Sequence, residues 1–111
     1  MREKSLFLEF VGESPTMKVM EYLILVEPFD FSITDMADNA GIGRATLYRI
    51  WDNLIKYEMI APTRVVGKAK LYKANLKNPK IRKLKELARL ILKENLKKMA
   101  ESEKKKIEIE H

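Results

Sequence analysis

Apolar residues recur at spacings of three and four along most of the chain, the pattern of helices that each bury one face. Met17, Met20, Leu23 and Ile24, continued by Leu25 or Val26, form the first such face. Ser14 is placed to cap this helix, with Pro15 at its first position, where a missing N–H costs nothing; Pro28 stops it. Ile33, Met36, Ala37 and Ala40 form a shorter face behind a Ser32 cap, with Asp35 three residues on as a weaker version of the capping box. Leu47, Ile50, Trp51, Leu54 and Ile55 all point inward in a third helix, predicted from about residue 44 to residue 57. The longest stripe begins at Ile81 and runs through Leu84, Leu87, Ala88, Ile91, Leu92, Leu96 and Met99, in a helix capped by Asn78 with Pro79 in its first turn.

Between the third and fourth stripes the period changes. Thr63, Val65 and Val66 favour a strand, Gly67 and Lys68 make a turn, and Leu71, Tyr72 and Lys73 return. Residues 30–32 read as a short extended link. Residues 6–11, Leu-Phe-Leu-Glu-Phe-Val, are too short and too apolar to assign by period. The charged end, residues 104–111, is expected to fray, and His111 is given no role.

Gly41-Ile42-Gly43 joins the second and third helices. Gly41 suits the left-handed conformation that ends a helix, and Ile42 suits the gap between the two helices. Helix, glycine turn, helix and basic hairpin in that order are the layout of a winged helix-turn-helix. The predicted fold is mainly α with a small β-hairpin. A winged helix-turn-helix occupies residues 1–77, and a long C-terminal helix with a charged tail occupies residues 78–111.

Composition narrows the chemistry. A chain of 111 residues with 46% hydrophobic content suits one domain with one appended element. The absence of cysteine removes disulfides, thiol switches and cysteine-based zinc sites. The single histidine is terminal, no phosphate-cradling glycine loop is present, and the carboxylates are scattered. Neither an enzyme nor a cofactor is expected. No apolar run reaches the ~18 residues of a membrane span, and the N-terminus lacks a signal-peptide layout, so a cytoplasmic location is expected. Abundant lysine, glutamate and isoleucine lean toward the composition of hyperthermophile proteins.

The net charge of +6 is unevenly placed: −5 over residues 1–43, +6 over 44–77 and +5 over 78–111. Positive charge thus begins where the third helix begins. That favours a polyanion as partner, against the plainer reading of a solvated lysine-rich surface. A helix that enters a groove needs small or hydrogen-bonding residues at its start, with cations beside them. Arg44, Ala45, Thr46, Tyr48 and Arg49 meet that need. Arg49 could instead pair with Asp52 or Asn53, and Trp51 reads as core. On the hairpin, Arg64, Lys68 and Lys70 suit phosphates or the minor groove, although edge strands also carry lysine simply to prevent aggregation. The last helix has more apolar surface than one small core can cover. A dimer seam built from Leu84, Leu87, Ala88, Ile91, Leu92, Asn95 and Leu96 is the preferred reading, with Asn95 fixing register.

Four stretches carry a family resemblance: residues 12–23 (Gly-Glu-Ser-Pro-Thr-Met-Lys-Val-Met-Glu-Tyr-Leu), residues 32–49 (Ser-Ile-Thr-Asp-Met-Ala-Asp-Asn-Ala-Gly-Ile-Gly-Arg-Ala-Thr-Leu-Tyr-Arg), the hairpin at residues 60–75, and Asn78-Pro79. With them the chain resembles the archaeal winged helix-turn-helix transcriptional regulators, a group related to the MarR, ArsR and PadR-like repressors. The resemblance implies sequence-specific binding of double-stranded DNA as a homodimer. The helix at 44–57 would sit in successive major grooves and the hairpin on the flanking backbone. By position, Arg44, Ala45, Thr46, Tyr48 and Arg49 match the reading positions, and Arg64, Lys68 and Lys70 the wing. Many relatives have Ser where this chain has Gly43, which leaves the third helix without a side-chain cap. Nothing matches the metal or thiol sensors of some relatives, and no effector is indicated. Two alternatives stay open: a winged helix serving as a protein-interaction module, and a plasmid or virus replication or partition module that does not regulate a promoter.

Overall fold

A computed structural model describes residues 5–110. Five helices and one hairpin follow in the order α1 (Leu6–Val11), α2 (Pro15–Leu25), α3 (Ile33–Ala40), α4 (Arg44–Lys56), β1 (Ile60–Val66), β2 (Ala69–Ala74) and α5 (Pro79–Glu110). The expected mainly α fold with a small hairpin and a long last helix is what forms.

Local chemistry sets most boundaries. The Ser14 hydroxyl accepts from the Met17 amide at 3.2 Å, with Pro15 opening α2. Ser32 and Asp35 close both halves of a capping box: the Ser32 hydroxyl accepts from the Asp35 amide at 3.1 Å, and the Asp35 carboxylate accepts from the Ser32 amide at 2.9 Å. Gly41 ends α3 in the left-handed region at φ 69°, where a residue with a Cβ would be strained. Gly67 turns the hairpin at φ 61°. The unassigned residues 6–11 are a helix, capped by the Ser5 hydroxyl, with Phe7 and Leu8 buried.

The core lies where α2, α3, α4 and the hairpin converge. Val19, Leu23, Met36 and Leu47 are fully buried there. Trp51 belongs to this core, edge-on to Tyr72 with ring centroids 4.9 Å apart. One inward assignment is corrected. Ile55 is 45% exposed, because Leu47, Trp51 and Leu54 centre the buried face of α4 and Ile55 lies about 80° from Leu47 around the helix. In α2 the deepest residue besides Leu23 is Val19, which the apolar pattern passed over; Leu25 lies in solvent and Val26 packs on the core.

The hairpin is antiparallel, from Ile60 opposite Ala74 to Val66 opposite Ala69, and its register shifts between Pro62 and Arg64. Pro62 has no N–H to give to a ladder, so a bulge at Thr63 breaks little. Phe31 forms an isolated antiparallel bridge to the hairpin by exchanging two 2.8 Å hydrogen bonds with Tyr72.

Helix α5 is rooted in the core by Ile81, and Leu84 packs against it. Helix α1 and helix α2 both lie along it. Near its start, Lys85 forms an ion pair with Glu27, a mostly buried carboxylate on the link between α2 and α3. Helix α5 extends to Glu110. The tail has no glycine or proline, and Glu101 with Lys105 is a favourable pair one turn apart. His111 lies outside the described residues.

Candidate nucleic-acid interface

Gly43 leads α4 in extended backbone, φ −63° and ψ 145°, with no side-chain hydrogen bond to the first turn. The helix nevertheless starts at Arg44, held by the Leu47 amide donating to the Gly43 carbonyl at 3.0 Å. Burying Leu47, Trp51 and Leu54 leaves the opposite side in solvent. Arg44, Ala45, Tyr48 and Arg49 are exposed there, with Thr46 half-buried at the edge. Arg44 leaves the helix on the flank nearest α3, and its Nη2 donates to the Thr34 hydroxyl at 3.0 Å. The alternative pairing of Arg49 does not form: among the described residues the Arg49 side chain makes no ion pair or hydrogen bond.

On the hairpin, Lys68 at the turn and Lys70 on β2 are exposed, again without an ion pair among the described residues. Arg64 is engaged within the protein. Its Nε donates to Asp30 Oδ2 at 2.9 Å and its Nη2 to Asp30 Oδ1 at 3.4 Å, while the Thr63 hydroxyl donates to Oδ2 at 3.1 Å. The Arg64 hydrogen bond, chiefly, holds the Asp30 carboxyl below the usual carboxylate range, and Asp30 in turn raises the Arg64 guanidinium. Beside these cations, Val65 and Val66 are exposed near the tip of the hairpin. They were read only as strand formers.

The proposed seam residues divide into two groups. Leu84, Leu87, Ala88, Ile91 and Asn95 are half-buried within the chain, the first of them against the core. Leu92 and Leu96 are 49% and 55% exposed, and Met99 one turn further on is 57% exposed.

Sequence reading missed Thr34 and Asp30 as organisers of this surface. Asp30 and Arg64 stand 34 positions apart, so no local pattern connects them. The available signal was an acid two residues before the Ser32 cap, in a chain that turns basic after residue 43. Among the described residues no cluster of three or more His, Cys, Asp or Glu is placed to hold a metal ion, and no helix is long and apolar enough to cross a membrane.

No family model matches the sequence, and no curated protein matches it. Solved structures match the fold. One is MepR, a transcription regulator of the Staphylococcus aureus multidrug efflux pump MepA, at TM-score 0.62 and 14% identity over 91% of this chain and 76% of that one. A second is ZitR of Lactococcus lactis, a zinc-responsive MarR family member, a variant of which was solved in complex with DNA. That match has TM-score 0.57 and 14% identity and covers 77% of this chain, which spans 60% of the length of that ZitR chain. A third is Sso10a-2, a DNA-binding protein from Sulfolobus solfataricus, at TM-score 0.52 and 20% identity over 86% of this chain and 94% of that one. At these identities the likeness is one of architecture, and the architecture is a winged helix-turn-helix extended by one long helix.

Proposed function

We propose that the chain is a sequence-specific, double-stranded-DNA-binding transcriptional regulator that works as a homodimer. The observation that carries this reading is the exposed outward face of α4 (Arg44, Ala45, Tyr48 and Arg49) in a chain whose next element is a basic hairpin. Support comes from the same architecture in the ZitR variant solved on DNA.

The major groove is about 12 Å wide and admits a helix if the residues that enter first are small. Ala45 lets α4 approach and suits a thymine methyl. Thr46 offers a hydroxyl and a methyl to a base edge. Arg44 and Arg49 suit guanine or phosphate, and Tyr48 suits a phosphate oxygen. Lys68 and Lys70 would neutralise the flanking backbone. Leu92 and Leu96, left open on α5, are the surface a second copy would cover, with Asn95 between them setting register. Two copies of α4 would then read half-sites about one helical turn apart.

Selecting bound duplexes from a random pool tests the reading. The expected result is an enriched pseudo-palindrome whose affinity falls linearly in log–log form as salt rises, because phosphate neutralisation releases counterions. No enrichment, together with a flat salt response, would overturn it.

A further inference from the structure

Asp30 occupies a fixed place. It immediately precedes Phe31, which the two hydrogen bonds to Tyr72 lock to β2. From there its carboxylate takes two nitrogens of the Arg64 guanidinium, at 2.9 and 3.4 Å. One edge of a guanidinium set against two oxygens is also how arginine grips a phosphate. Arg64 therefore cannot offer that edge to DNA while it holds Asp30. Its side chain is 65% exposed and that of Asp30 only 21%, so the arginine is open to solvent while the acid sits behind it. Among the described residues Lys68 and Lys70 have no comparable restraint.

We propose that Asp30 acts as an internal phosphate mimic, holding Arg64 off the DNA backbone so that the wing grips with its lysines and general affinity is set one contact lower. Resting on the DNA-binding reading above, this inference assigns a role to a residue outside both the helix and the hairpin that would touch the duplex. Ion pairs this open to water are weak, so a substitution can release Arg64 without unfolding the protein. Phosphate contacts carry no sequence information, so the released arginine should tighten binding to every duplex alike.

The test is Asp30→Asn in the full chain, with Arg64→Ala and the double variant beside it, measured on a random-sequence duplex across a salt series. Thermal unfolding checks that each variant is folded. One extra neutralised phosphate steepens the slope of log affinity against log salt by about 0.9, so the loss between 50 and 200 mM grows about threefold. The expected result is that steepening in Asp30→Asn, a wild-type slope in the double variant, and less than a twofold effect of Arg64→Ala alone. A folded Asp30→Asn with an unchanged slope overturns the inference, as does Arg64→Ala weakening the wild type as much as Lys68→Ala does. Wild-type protein that fails to bind the duplex at any salt would instead sink the DNA-binding reading itself.

Discussion

Arg44 and Arg64 are both arginines on the basic stretch, yet their surroundings differ. Arg44 is tethered by one neutral hydroxyl, that of Thr34, which orients the guanidinium without neutralising it. Arg64 faces a carboxylate. A base-reading role suits the first and a restrained role the second. Arg44→Ala should cost about 1–3 kcal/mol on the preferred duplex and relax preference at one base position. Lys68→Ala should weaken all duplexes equally and flatten the salt slope by about 1. Binding of both variants to a panel of single-base changes decides this, and equal, sequence-blind losses would show that α4 does not read bases. At this scale the sequence was legible wherever the chemistry was local. Ser32, Asp35, Gly41 and Gly67 each act within a few residues of themselves, and each does what its type requires. Asp30 was not legible, since its partner is distant in sequence and near only after folding.

Among the elements, the junction between α4, β1 and α5 depends on one side chain. Asn78 is buried. Its Nδ2 donates to the carbonyls of Tyr57 and Glu58, both at 2.9 Å, and its Oδ1 accepts from the Lys80 amide at 2.9 Å. The same amide side chain thus serves the exposed end of α4 and the first turn of α5. Asn75 adds a second donor to the Glu58 carbonyl at 2.9 Å. Glu58 itself takes φ 56°, a left-handed conformation unusual for a residue with a side chain, and these bonds hold its carbonyl in place. Asn78→Ala should destabilise the fold by about 1–3 kcal/mol by taking the side-chain partners from the part-buried Tyr57 carbonyl and Lys80 amide. Urea unfolding measures it, and a change of a few tenths would mean that water replaces the amide at little cost. The capping half of this role follows from Asn before Pro at a helix start. The reach back to α4 does not, because it depends on how α5 is laid against the domain.

The whole molecule is elongated, 64 by 31 by 23 Å, because α5 is about 48 Å long at 1.5 Å per residue and only its first turns are sunk in the core. Its later turns keep Leu92, Leu96 and Met99 open to solvent, and a second copy is the proposed cover. Leu92→Glu combined with Leu96→Glu should convert a dimer to a monomer, read by light scattering. The same variant should lose its preference for paired half-sites and keep weak, salt-sensitive binding to random duplex. A variant that stays dimeric would move the seam elsewhere, to α1 or to the half-buried stretch beside it. The apolar stripe of α5 was legible as a stripe. Which of its residues this chain covers for itself depended on α1, whose six residues were too few for their period to be read.

By itself the order of residues determined the capped helices, the glycine turn, the basic hairpin and the long final helix, since period, capping and turn chemistry act over three or four positions. Tertiary structure decided which cations are restrained, which of two adjacent leucines or isoleucines is buried, and where α5 is pinned. Those outcomes are set by contacts between segments far apart in the chain, and a hydrogen bond such as that from Arg64 to Asp30 exists only once β2 has brought Phe31 alongside Tyr72.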